Sequence, residues 1–143
     1  MNTSLHGKHP LALPPVFWMV ITMLAIVSAC TPDNNSSGDE REKFLGSWTC
    51  KDSSITNGDV QPIYTVTITK VGDNDSVRIS NFYRLGSNTF VYAKISDKTL
   101  FIPSQNDDGF LISGSGSINN SSIKINYGAQ LGSNTDQGIA IYQ

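Results

Sequence analysis

From Tyr64 to Thr69 the chain reads Tyr-Thr-Val-Thr-Ile-Thr, large apolar side chains at even positions and threonines at odd ones. A period of two residues puts Tyr64, Val66 and Ile68 on one side of an extended chain and the threonines on the other. This is the pattern of a strand with one buried and one wet face. Threonine suits the wet face because it is both β-branched and polar. Runs of similar texture occur at 44–51, 77–82, 90–95, 100–102, 110–118, 123–127 and 139–142. Residues 52–59 read as a loop, and turn formers separate the other runs: Gly72-Asp73-Asn74-Asp75, Gly86-Ser87-Asn88, Ser96-Asp97-Lys98, Asn106-Asp107-Asp108-Gly109 and Asn119-Asn120. No stretch after Glu42 carries a helical period. About eight short strands with turns between them predict an all-β domain.

An internal echo bears on how the strands join. Leu85-Gly86-Ser87-Asn88-Thr89 recurs unchanged as Leu131-Gly132-Ser133-Asn134-Thr135. The same shift sets Tyr64, Val66 and Ile68 on Phe110, Ile112 and Gly114, Ser76-Val77-Arg78-Ile79 on Ser122-Ile123-Lys124-Ile125, and Ala93 and Ile95 on Ile139 and Ile141. Two copied three-stranded meanders, each preceded by one further strand, would account for it, as would reuse of favourable turn residues. A four-stranded half has two open edges, and joining the halves with the first strand against the last removes them. The sequence therefore predicts a small antiparallel meander barrel, with a two-sheet β-sandwich as the alternative.

Upstream, residues 16–27 form an uncharged apolar run of about a dozen residues, too short to cross a hydrocarbon core of ~30 Å as a helix. Lys8 and the amino terminus precede it, and Val27-Ser28-Ala29-Cys30 closes it, which fits the apolar region of a secretion signal. The last four residues resemble the bacterial lipobox. That resemblance implies cleavage before Cys30, a diacylglyceryl group on its sulfur and an acyl chain such as palmitate on the new amino terminus. Two or more chains hold a protein to a bilayer where one does so marginally. Thr31 at the following position implies the outer membrane, with the periplasmic or surface face left open. The expected organisation is a signal peptide at 1–29, a lipidated Cys30 and polar tether at 30–43, and the β domain at 44–143.

Composition narrows the chemistry. Both histidines, His6 and His9, lie in the removed segment, so the mature chain has no histidine for a Ser-His-Asp triad or a His-ligated metal. The formal net charge is −2 with no basic patch, so no nucleic-acid partner is expected. Serine is abundant, but no histidine of the mature chain stands ready as its base, and no enzyme is expected. Asp73-Asn74-Asp75 and Asp107-Asp108 offer oxygen ligands but lack the rest of a calcium loop, and loop aspartates are commonly turn formers. No cofactor is expected. With Cys30 acylated, Cys50 has no partner and reads as a small buried hydrophobe.

Gly46-Ser47-Trp48 at the start of the first strand resembles the Gly-x-Trp signature of lipocalin and calycin barrels. In that family the tryptophan plugs the closed end and a basic residue near the last strand packs across it. The last strand here offers none, leaving Lys124 or Arg78 as candidates. If such a barrel has a cup, Trp48, Tyr64, Val66, Ile79, Phe110 and Ile112 would line it for a small apolar ligand. Gly114 and Gly116 share the apolar face of their strand, where they either leave room for a ligand or mark a bend. A filled barrel whose partner is another envelope protein is the alternative.

Overall fold

The computed structural model describes residues 38–143. Eight strands, β1 (Gly46–Ser54), β2 (Tyr64–Lys70), β3 (Ser76–Ser80), β4 (Phe90–Ser96), β5 (Thr99–Asp107), β6 (Phe110–Asn119), β7 (Ser122–Leu131) and β8 (Asn134–Tyr142), pair in sequence order and close into an antiparallel barrel. Closure runs through β1. Its first half pairs with β2, from Gly46↔Ile68 to Cys50↔Tyr64, and its second half with β8, from Cys50↔Tyr142 to Ser54↔Gly138. The barrel is therefore the architecture, and the sandwich is not.

Alternation does what the sequence leads one to expect. Val66 and Ile68 of β2, Val77 and Ile79 of β3, Val91, Ala93 and Ile95 of β4, and Ile123 and Ile125 of β7 point inward into one continuous core. The two-residue turn Asp108-Gly109 has positive φ at both positions, the handedness that matches strand twist in a tight hairpin.

Several boundaries differ from the sequence reading. β1 continues to Ser54 and β7 to Leu131, each well past its last large apolar residue on the buried face. Phe82 lies in a short 3₁₀ turn (Phe82–Arg84) rather than in β3. β5 extends to Asp107 through a register shift between Ile102 and Gln105. Pro103 cannot donate to a ladder there. The Gln105 carboxamide takes the place of a peptide group, accepting from Tyr92 N at 2.8 Å and donating to Tyr92 O at 2.7 Å.

The end of the expected tether belongs to the domain. Glu40–Lys43 form a 3₁₀ turn capped by Asp39, and Arg41 is buried. Its guanidinium binds Asp39 and donates to the carbonyls of Val71 and Gly72 in the β2–β3 connection and of Ser76 at the start of β3. Five donors in a planar fork suit such a ring of acceptors, which a pattern of apolar residues cannot reveal. Glu40 accepts from Asp97 N, and Phe44 is fully buried behind the turn. This end of the barrel is closed.

The internal echo is only partly carried by the fold. Positions on β2 and β6, and on β3 and β7, share inward faces under the shift. On β4, Ala93 and Ile95 point inward, whereas on β8 the inward residues are Gly138, Ala140 and Tyr142, with Ile139 and Ile141 on the other face. A slip of one residue reverses the faces of a strand. The repeated pentapeptides also differ in form: Gly132-Ser133 makes the tight β7–β8 turn, while residues 85–89 follow the 3₁₀ turn in the longer β3–β4 connection.

Candidate functional site at the loop end of the barrel

The six proposed cup residues all lie on inward-facing strand positions but do not surround an empty cup. Val66, Ile79 and Ile112 are fully buried members of the core, and Trp48, Tyr64 and Phe110 pack against it. Trp48 lies near the closed end, where its indole N–H donates to Phe44 O at 2.9 Å. Neither basic candidate takes the position across the indole that the lipocalin resemblance implies. Arg78 sits outside the barrel over the Phe90 ring, and Lys124 also faces outward. Tyr64 and Phe110 belong to the opposite end.

Gly114 and Gly116 mark close approach rather than ligand space. A Cβ on Gly116 would lie 2.4 Å from Lys124 O, and one on Gly114 2.8 Å from Asn126 O. Here β6 and β7 curl against each other too tightly for a side chain.

At the loop end, the inward face of the barrel turns polar. Asp52 of β1 is 2 % exposed. Its Oδ1 accepts from Tyr127 OH at 2.7 Å and its Oδ2 from Tyr64 OH at 2.8 Å. Asp136 of β8 accepts from Ser54 Oγ and, at 2.9 Å, from Tyr83 OH. Every oxygen of the two carboxylates therefore has a hydroxyl donor, which meets the requirement that buried polar groups be paired. Tyr83 also meets Tyr127 and Phe110 edge-on, with ring centroids 5.5 and 5.4 Å apart. The network joins β1, β2, β7, β8 and the 82–84 turn.

Burial raises the phenols of Tyr64 and Tyr127 well above the ordinary tyrosine range, and it pushes Tyr83 up to about 12, with the Asp136 hydrogen bond adding to the effect. They remain protonated donors at neutral pH. Burial likewise pushes the Cys50 thiol up to about 12, so this fully buried cysteine is an inert core residue at neutral pH rather than a nucleophile.

Above the network is an open depression of about 460 Å³. Thr56 and Asn57 line it from the β1–β2 connection, Tyr83 from β3–β4, Phe110 from the start of β6, and Leu131, Ser133, Asn134 and Asp136 from the β7–β8 hairpin. Three connections at this end and the start of β6 thus contribute to one surface.

Among the described residues no group of three or more His, Cys, Asp or Glu side chains could hold a metal ion. Asn74 is occupied as a turn former, accepting from Ser76 N at 3.0 Å. Cys30 and the signal segment lie outside the described residues.

Sequence reasoning missed Asp52, Ser54, Tyr83, Tyr127 and Asp136. A signal for two of them was present: the parity Trp48, Cys50, Asp52, Ser54 continues the inward face of β1 past Lys51. Reading only apolar residues as inward hides it. No protein-family model matches the chain, and no curated protein matches it.

Proposed function

We propose that this chain is a lipid-anchored, non-catalytic protein of the bacterial cell envelope, a filled lipocalin-like barrel that acts by docking a partner at its loop end. The observation that carries the reading is the packing of Val66, Ile79 and Ile112 into a continuous core, while the loop end holds a depression built from three connections and the start of β6. The closed eight-stranded meander and the inward Trp48 near its closed end support the likeness to lipocalin barrels. The lipobox at 27–30 supports the anchor, through acyl groups on Cys30. The chain enters the barrel at the closed end, so tethering upstream of Asp39 leaves the loop end available to a partner.

The test is mass spectrometry of the protein purified from cells, under both native and denaturing conditions. The expected result is a diacylglyceryl and acyl mass on Cys30 with no co-purifying small apolar molecule. Cys30→Ala should release the protein from membranes. A mature chain with unmodified Cys30 would remove the anchor, and a stoichiometric lipid inside the barrel would replace docking with ligand transport.

A further inference from the structure

The loop end carries an exposed apolar rim that the core does not use. Ile55, Val60 and Ile63 of the β1–β2 connection are 62, 80 and 64 % exposed, and Leu131 at the end of β7 is 52 % exposed. Tyr92 and Phe101 are exposed singly on the barrel wall, whereas three of the loop-end residues share one connection, and grouped apolar side chains left in water mark an interaction surface. Loop 55–63 is held in place: Ser54 N donates to Asp59 O, Gln61 N to Asp52 O, and Ile55 N to Gln137 O. The rim is therefore presented on a supported loop.

The charges around this rim are mostly acidic. Asp52, Asp59, Asp107, Asp108 and Asp136 lie at the loop end, whereas residues 55–63, 81–89, 107–110 and 131–136 contain no lysine and one arginine. That arginine, Arg84, is hydrogen-bonded to Gln61 at 3.0 Å. Asp107 adds a buried oxygen, Oδ2, with no partner. The closed end is balanced instead, with Arg41, Lys43, Lys70 and Lys98 among its acids.

We infer that the loop end docks a cationic protein segment, in which lysine or arginine stands beside an apolar side chain. This rests on the docking reading above and adds the partner's chemistry. The apolar side chain covers Val60, Ile63 or Leu131, and the cation meets Asp59 or Asp108. Acidic rims steer cations.

The experiment titrates labelled peptides into the mature protein purified from cells. The probes are a short amphipathic Lys/Leu peptide, its Glu/Leu counterpart and a Lys/Ser counterpart. The Lys/Leu peptide should bind roughly tenfold tighter than either, and added salt should weaken it. Asp59→Asn with Asp108→Asn, and separately Val60→Ser with Ile63→Ser, should each weaken binding by roughly fivefold or more. Asp73→Asn with Asp75→Asn, which removes the same charge from the closed end, should leave binding unchanged. Equal loss with the closed-end pair would reduce the effect to net charge and overturn the inference. So would equal binding of all three peptides. With phosphatidylcholine vesicles present, slowed amide exchange at residues 55–63 that Ile63→Ser abolishes, without peptide binding, would assign the rim to a bilayer and also overturn it. None of these outcomes depends on the mass of Cys30, so this inference can fail while the anchor stands.

Discussion

The hydroxyl of Tyr127 donates to Asp52 Oδ1 at 2.7 Å across the interior, joining β7 to β1 over 75 residues of sequence. The ring tip of Tyr127 occupies the space that a side chain at Gly138 would need, since a Cβ there would lie 2.3 Å from the tyrosine Cζ. Gly138 on the intervening strand thus makes the contact possible. Among the described residues no cation pairs with this deeply buried Asp52, and two phenols satisfy it instead.

Removing one donor should therefore cost more than an average hydrogen bond. Tyr127→Phe leaves Asp52 Oδ1 buried and unpaired, and should destabilise the barrel by about 1–3 kcal/mol in urea unfolding. Gly138→Ala should cost a similar amount by displacing the ring, and combining the two should cost less than their sum, since both break one contact. Additive losses would show that Gly138 acts independently of the tyrosine.

The buried phenols set an alkaline limit. Tyr64, Tyr127 and Tyr142 are raised above the ordinary value of about 10, in each case chiefly by burial. Above that value the unfolded chain releases protons that the folded chain keeps, so stability falls as pH rises past about 10. Each such tyrosine contributes a slope of about 1.4 kcal/mol per pH unit. Unfolding midpoints measured from pH 8 to 11 should show the decline, and Tyr64→Phe should make it shallower. A flat profile would contradict the burial of these hydroxyls.

The closed end should fail in acid. The Arg41 guanidinium, and after it Lys70, holds the Asp39 carboxyl well below the usual carboxylate range. A carboxyl depressed by folding contributes stability above its unfolded value of about 4, lost as pH falls through that range and below. Arg41→Ala should lower Tm most at neutral pH. The gap from the parent should narrow toward pH 3 without closing, because the parent's bonds to the carbonyls of Val71, Gly72 and Ser76 do not titrate. A pH-independent gap would mean that the Asp39 pair is not coupled to folding.

Gln105 stands in for a peptide group where Pro103 interrupts the ladder. Gln105→Ala should cost about 1 kcal/mol and speed amide exchange at Tyr92. Gln105→Glu keeps the acceptor for Tyr92 N but loses the donor to Tyr92 O, so it should not restore the parent stability. Full recovery by Glu would show that one of the two bonds carries no weight.

The faces of β2, β3 and β7 were legible because a period-two pattern is local: each residue's side depends only on its neighbours along the strand. The tight turns were legible for the same reason, since Asp108-Gly109 meets a local demand for positive φ. Closure into a barrel was within reach because eight strands in sequence order leave two edges, the first strand and the last, to pair. The acid–phenol network was not legible. Asp52 and Asp136 interrupt an apolar inward face, and whether such a polar residue is tolerated depends on donors from strands far away in sequence. The cap made by Arg41 was hidden likewise, because its partners are backbone carbonyls and any residue type supplies those.

Sequence by itself determined the faces of β2, β3 and β7, the turn chemistry and the apolar core, all consequences of short-range alternation and backbone preference. Only the tertiary structure decided that the centre is occupied by side chains, that β6 and β7 approach closely at Gly114 and Gly116, and that two carboxylates meet three phenols at one end. Those depend on distances between strands, and a distance between strands is a property of how the whole sheet curls and closes.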